Sequence, residues 1–371
     1  MSGRRVAVLG AGLAGVAAAC AARRAGARVV VFTDAPGAST MASGALSGEL
    51  DEDARAFFEV LGGARFGDGP AVVATQAGAL RTARGVDESL LDLTKLVGQT
   101  VGVAVTPRLG WDGRAITATL EDQPRARELA ISFVPVEVEL LRELDEARYP
   151  AVDFARLVED GERLAWTAAR IREALLRSGA TALLTGPWLG ATAPIARQLS
   201  EAAGAPVGEV TSLPGEAAGR RLASALARAL GDAPRRGAVT VGPDLTVAGE
   251  RFDAVVLATG GVVGGGISFR RTDPTVVGGA PAHLVATALP EALVAWNDDS
   301  AAEVGAALPS LAWRDDAVLP RAGIVTHDLS VMTSSRAPIA GLYACGDLRC
   351  GEGTMLGAAS SGWRAGRLAA G

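Results

Sequence analysis

The feature that most limits what this chain can fold into is the run VAVLGAGLAG, Val6 to Gly15. Val6 to Leu9 is uniformly apolar, which suits a strand buried on both faces of a parallel sheet. Gly10, Gly12 and Gly15 follow in G-x-G-x-x-G spacing. In that pattern the first glycine makes the tight turn and the second lets a pyrophosphate approach the backbone. The third lets the next helix lie close to the strand. The spacing predicts a helix from Leu13 to about Ala25, stopped at Gly26, with its first N–H groups aimed at an anion. A second strand is expected from Arg28 to Thr33. A glycine pattern alone is a weak sign, but the full unit of about 30 residues is a specific one. It offers Gly10, Ala11, Gly12, Leu13, Ala14 and Gly15 as cofactor-binding candidates.

In this fingerprint a carboxylate at the end of the second strand takes hydrogen bonds from ribose hydroxyls. Here Thr33 stands in that place and Asp34 comes one residue late. A hydroxyl makes a weaker, neutral contact, and strand alternation turns Asp34 to the opposite face. Both remain candidates. The pyrophosphate half therefore reads as intact and the adenosine half as loosened. No basic residue suited to a 2′-phosphate stands in this segment, so NADP is not favoured.

Two later motifs extend the pattern. FDAVVLATGG gives a strand from Phe252 to Ala258 and a tight exit at Thr259, Gly260 and Gly261, preceded by a hairpin. GLYACGD gives a strand from Gly341 that ends in Gly346 and Asp347 and leads into a small-residue helix containing Gly357. The three motifs in this order resemble the two-dinucleotide-binding-fold flavoproteins, most closely the fumarate-reductase-like group. The resemblance implies a flavin-binding fold in which Asp347 holds the ribityl chain. It sets Ala258, Thr259, Gly260, Gly261 and the turn around Gly346 and Gly357 near the flavin, with Ser43 and Gly44 along its ring.

A closer resemblance covers most of the chain. GASTMASGALSGEL (37–50), ALLTGPWLG (182–190), VTSLPGEAAGRRL (210–222), ATGGVVGGGISFRR (258–271) and RAGIVTHDLS (321–330) resemble the B chain of anaerobic glycerol-3-phosphate dehydrogenase. That family also tends to carry Thr at the end of its second strand. The resemblance implies a flavin-dependent subunit holding FAD, with FMN as the alternative. It would pass electrons from glycerol 3-phosphate to a catalytic or iron–sulfur partner subunit and on to the quinone pool. Ser39 and Thr40 stand where fumarate-reductase-type proteins often attach flavin through His, so the cofactor is expected to be non-covalent. Another flavoprotein oxidoreductase of the same fold, or a non-catalytic flavin-binding assembly subunit, are the competing readings.

Flavin chemistry needs a proton donor or acceptor and anchors for substrate charge. His327, Arg270 and Arg349 are the candidates, Arg because its planar fork suits phosphate. Against each stands a plain alternative: a surface histidine beside Asp328, and solvated arginines. The other histidine, His283, reads as structural. A net charge of -5 without a basic run argues against nucleic acid. The three cysteines, Cys20, Cys345 and Cys350, complete neither an iron–sulfur cluster nor a disulfide framework, and no metal site is expected. No run approaches the roughly 20 apolar residues of a membrane span. The expectation is a cytoplasmic protein that meets the inner membrane only through a partner.

The fold expected is α/β: a Rossmann-like FAD/NAD(P)-binding domain with a parallel sheet, plus a smaller α+β cap domain. The flavin-binding domain is drawn from 1–70, 206–266 and 323–371, and the cap or substrate domain from 71–205 and 267–322. Aromatics make up only 4% of the chain, so its core must be built from Ala, Val and Leu.

Overall fold

The computed structural model describes residues 3–271, 282–290, 292–295, 322–333, 335–350 and 353–371; the side chains of 269–271, 282–284 and 295 are not among those described. It divides into two compact units. The first is Met1–Ser39, Gly48–Leu61 and Leu226–Gly371, and the second is Thr40–Ser47 and Gly62–Ala225.

The first unit is built on a seven-stranded sheet among the described residues. Its order is Arg235–Arg236, Arg28–Thr33, Arg5–Leu9, Ala254–Leu257, Pro338–Ala344, Ser330–Met332 and Thr326–His327. The first five strands run parallel, and the last two form an antiparallel extension. Leu9 pairs with Phe32 and with Leu257, and Leu257 with Ala344. The three glycine motifs therefore leave the sheet along one edge, at the carboxyl ends of adjacent strands. Val6, Ala7, Val8, Val255, Val256 and Leu257 are fully buried, as a parallel strand covered on both faces requires.

The helices Leu13–Arg24 and Met355–Ala370 cover this sheet. They approach closely because both present small residues. A Cβ at Gly362 would lie 2.2 Å from the Ala14 carbonyl oxygen, and one at Gly366 would lie 2.1 Å from that of Ala18. The first helix stops one residue short of the expected end, and Gly26 follows with φ +90°. The GLYACGD strand begins earlier than expected, at Pro338, and ends at Ala344, because Gly346–Leu348 turns into a short 3-10 helix.

The boundary between units differs from the one drawn from sequence. Within the segment 267–322, the described residues Ile267, Ala286, Ala288, Leu289, Ala292 and Val294 pack with Leu9, Val255 and Leu257, so they belong to the first unit's core. Residues 206–225 belong to the second unit, where Val207–Glu209 is a strand of its main sheet. Residues 40–47 join that unit too, pairing Ala45 with Val86 and Leu46 with Gly85.

The second unit carries a four-stranded sheet in the order Val207–Glu209, Ala182–Thr185, Thr100–Val105, Ser132–Glu137. Every pairing in it is parallel, a detail the sequence reading did not specify. Helices at Gly113–Glu121, Gly161–Ser178 and Ala196–Ala203 lie between its strands along the chain. The helix expected around ERLAWTAARIREALLRSG forms as Gly161–Ser178. Asp160 accepts hydrogen bonds from the Glu162 and Arg163 amides at its start, and Gly179 ends it at φ +72°.

Candidate cofactor site

Each glycine of the first motif meets a physical requirement. Gly10 has φ +115°, and a Cβ there would lie 2.1 Å from the Ala258 carbonyl oxygen. A Cβ at Gly15 would lie 1.9 Å from the Gly10 carbonyl oxygen, so this glycine allows helix and strand to touch. Gly12 is different. The nearest atom to its Cβ position is Ser39 Oγ at 3.3 Å, with the Gly37 backbone further off. Two glycines thus serve the fold, while Gly12 is half-buried where the helix begins, with no backbone atom pressed against its Cβ position. Gly12 makes no side-chain cap, and the Leu13 N–H donates to Ser39 Oγ at 2.9 Å. Ser39 is a site residue that sequence reading passed over, although it lies in the GAST segment already noted.

The other two motifs meet this turn. Ala258 packs on Gly10, and Gly261 sits so close to the third motif that a Cβ would lie 2.5 Å from the Asp347 carbonyl oxygen. Gly346 has φ +65° with its Cβ position 2.6 Å from Ala14 Cβ, and its N–H donates to Ser361 Oγ. The Gly357 N–H donates to Thr354 Oγ1, which caps the last helix. The structure therefore brings Gly10, Ala11, Gly12, Leu13, Ala14, Gly15, Ala258, Thr259, Gly260, Gly261, Gly346 and Asp347 to one edge of the sheet.

Two polar groups there lack partners among the described residues. Thr259 Oγ1 is buried without a hydrogen bond. Asp347 is partly buried, no group donates to its carboxylate, and burial pushes that carboxyl above the usual range. A buried hydroxyl left unsatisfied and a partly buried, acceptor-only carboxylate suit a ligand rich in hydroxyls and oxyanions. These residues and the Gly12 backbone fit the polyol and pyrophosphate of a dinucleotide.

Thr33 donates its hydroxyl to the Ala35 carbonyl, and Asp34 is exposed. The sequence reading found no basic residue here, but Arg236 pairs in register with Thr33 from the edge strand. Arg236 is exposed at this register position.

The remaining candidates are placed elsewhere. Ser43 and Gly44 lie in the second unit. There Gly44, at φ +90°, packs against Leu90, Ala218 and Asp87, and the Ser43 carbonyl accepts the Ser212 N–H. His327 is exposed on the outermost strand, 3.7 Å from Asp328, as its plain alternative had it. Arg349 donates from Nε to Thr326 Oγ1. The backbone of Arg270 pairs with that of His283, and both side chains lie outside the described residues. No group of three or more His, Cys, Asp or Glu suited to a metal ion occurs among the described residues.

Sequence reading also missed the charges buried in the second unit. Arg221 donates to Asp87 at 3.0 Å and to Glu209 at 2.7 Å, with Arg221 and Glu209 buried. Burial pushes the Glu209 carboxyl up to about 7 against the opposing pull of Arg221, while the two carboxylates hold Arg221 protonated.

No protein-family model matches the chain, and no curated protein matches its sequence. Among solved structures it is similar to the 3-ketosteroid delta1-dehydrogenase from Sterolibacterium denitrificans. The identity is 13% over 100% of each chain, with a TM-score of 0.34. A 3-ketosteroid-delta4-(5alpha)-dehydrogenase from Rhodococcus jostii RHA1 gives 16%, 99% of this chain, 97% of that one and 0.33. A flavocytochrome c3 fumarate reductase gives 14%, 99%, 77% and 0.31. Scores and identities this low leave the reaction of this chain to be argued from its own residues.

Proposed function

We propose that this chain is a flavin-dependent oxidoreductase subunit that holds FAD without a covalent bond. The observation that carries the reading is the unsatisfied Thr259 hydroxyl and the partly buried Asp347 carboxylate, set beside Gly12 at the carboxyl ends of three adjacent parallel strands. Bound flavin supplies hydride and electron transfer. The chain's own part is to orient it. The amides that follow Leu13 at the start of the Leu13–Arg24 helix would hold the pyrophosphate, Asp347 would accept from ribityl hydroxyls, and Thr259 Oγ1 would gain a partner. FMN remains the alternative, because Thr33 gives the adenosine ribose no carboxylate.

The finer reading rests on the resemblance to the B chain of anaerobic glycerol-3-phosphate dehydrogenase. It makes glycerol 3-phosphate the reductant and a catalytic or iron–sulfur partner the next carrier, with the quinone pool as the sink. Membrane contact runs through that partner; no helix among the described residues is long and apolar enough to cross a membrane. The test is glycerol 3-phosphate oxidation by the flavin-loaded chain with an artificial electron acceptor. Turnover above that with glycerol alone supports the reading. A flavin-loaded chain that turns over other hydroxy acids but not this one shifts it to another oxidoreductase of the same fold.

A further inference from the structure

The second unit's parallel sheet has its own topological switch point. Thr100–Val105 lies between Ser132–Glu137, the next strand in sequence, and Ala182–Thr185, the one after. The chain leaves the central strand to one side and returns to the other. In doubly wound sheets that reversal opens a crevice beyond the carboxyl ends of the two central strands. Those ends run on into Thr106–Arg108 and Gly186–Leu189.

Unsatisfied polar groups lie on both of these segments. Thr106 Oγ1, Arg108 Nε and Trp188 Nε1 are all buried without a hydrogen-bond partner among the described residues. Their residues are 5%, 5% and 3% exposed, which makes each orphaned donor costly. Arg108 lies 4.0 Å from the centre of the Phe154 ring and 5.1 Å from that of Trp188, and its two terminal nitrogens donate to the Glu146 and Tyr149 carbonyls. The charges here do not balance. Arg163 takes both oxygens of the buried Glu146 carboxylate, so Arg108 and Arg163 set two positive charges against one negative. Burial lowers the Arg108 guanidinium to about 10, which still leaves it charged at neutral pH. A buried cation that shares its one carboxylate with a second arginine, beside donors without acceptors, calls for an anion.

We infer that the second unit binds the oxyanion group of a small metabolite at this switch point, through Thr106, Arg108 and Trp188. The site lies within one unit and does not depend on the flavin reading.

The shared chemistry is a phosphate or a carboxylate, and the test separates them. The full chain is titrated by calorimetry with inorganic phosphate and, separately, with succinate, while tryptophan fluorescence is followed. Saturable binding of one probe is expected, with a dissociation constant of about 1 mM or tighter. Phosphate binding points to phosphate esters and succinate binding to carboxylates. Thr106→Val and Trp188→Phe should each weaken that binding about tenfold, the loss of one hydrogen bond to an anion. Thr106→Ser should restore it. Thr106→Val should also raise the melting temperature of the ligand-free chain, since it removes an orphaned hydroxyl. Phosphate that binds the glycine turn of the first unit instead would be untouched by both variants. That result overturns the inference, as does the absence of saturable binding of either anion up to about 10 mM.

Discussion

At the scale of the residue, the three glycines of the first motif make separate demands, and substitution should tell them apart. Gly10→Ala forces a Cβ into the Ala258 carbonyl at a positive φ, and Gly15→Ala forces one into the Gly10 carbonyl. Each is expected to cost about 3 kcal/mol or more and to leave little folded protein. Gly12→Ala meets the Ser39 hydroxyl at 3.3 Å and the Gly37 Cα at 3.9 Å, contacts that a shift of a few tenths of an ångström relieves. It should fold with a melting temperature near that of the parent yet purify with much less flavin, because a methyl group stands where the pyrophosphate approaches. Flavin content per folded chain, read from the visible spectrum, checks this. Asp347→Asn should show the opposite coupling. Burial raises the Asp347 carboxyl, so the charged form weakens the ligand-free fold as pH rises past the usual carboxylate range. The amide should therefore stabilise the ligand-free chain at neutral pH by on the order of 1 kcal/mol while weakening flavin retention. Thermal melts with and without added FAD separate the two effects.

At the scale of the element, the helices Leu13–Arg24 and Met355–Ala370 touch backbone to backbone at Gly362 and Gly366. Gly366→Ala cannot be absorbed by a rotamer change, because the obstructing atom is the Ala18 carbonyl. A loss of about 1–3 kcal/mol is expected in chemical unfolding, despite alanine's better helix propensity. The strand Val207–Glu209 carries a pH signature. Glu209 is held at about 7 in the folded chain, above its ordinary 4.5. The folded state therefore binds the proton more tightly, and the stability it adds is complete below pH 4.5 and lost as pH rises through about 7. Glu209→Gln should flatten that fall in stability between about pH 5 and 8. It should also lower overall stability, since Arg221 loses its shorter ion-pair contact.

Elements also explain what could be read in advance. The Rossmann-like unit was legible because its signal is local: an apolar strand, a glycine turn and a small-residue helix follow each other directly. The places that escaped depend on pairing between distant segments. Arg236 stands beside Thr33 because a two-residue edge strand closes the sheet there, and nothing in RR marks it as a strand. His327 was drawn toward the flavin by its nearness in sequence to GLYACGD. It sits instead on the outer arm of an antiparallel hairpin. In the second unit, the short apolar runs VGVAV and ALLT do not say whether they pair parallel or antiparallel. The approach of Arg108 to Trp188, at the ends of two strands far apart in sequence, follows from that pairing.

At the scale of the whole molecule, the first unit is proposed to hold flavin through its glycine turn and the Asp347 carboxylate, with Thr33 in place of an acid where adenosine would sit. A single experiment bears on this directly: purify the chain without added cofactor, record its visible spectrum, and identify by mass any flavin released on denaturation. A yellow protein that releases unmodified FAD is expected, with the denatured polypeptide left at its sequence mass. A colourless chain that takes up neither FAD nor FMN when reconstituted would overturn the flavin assignment.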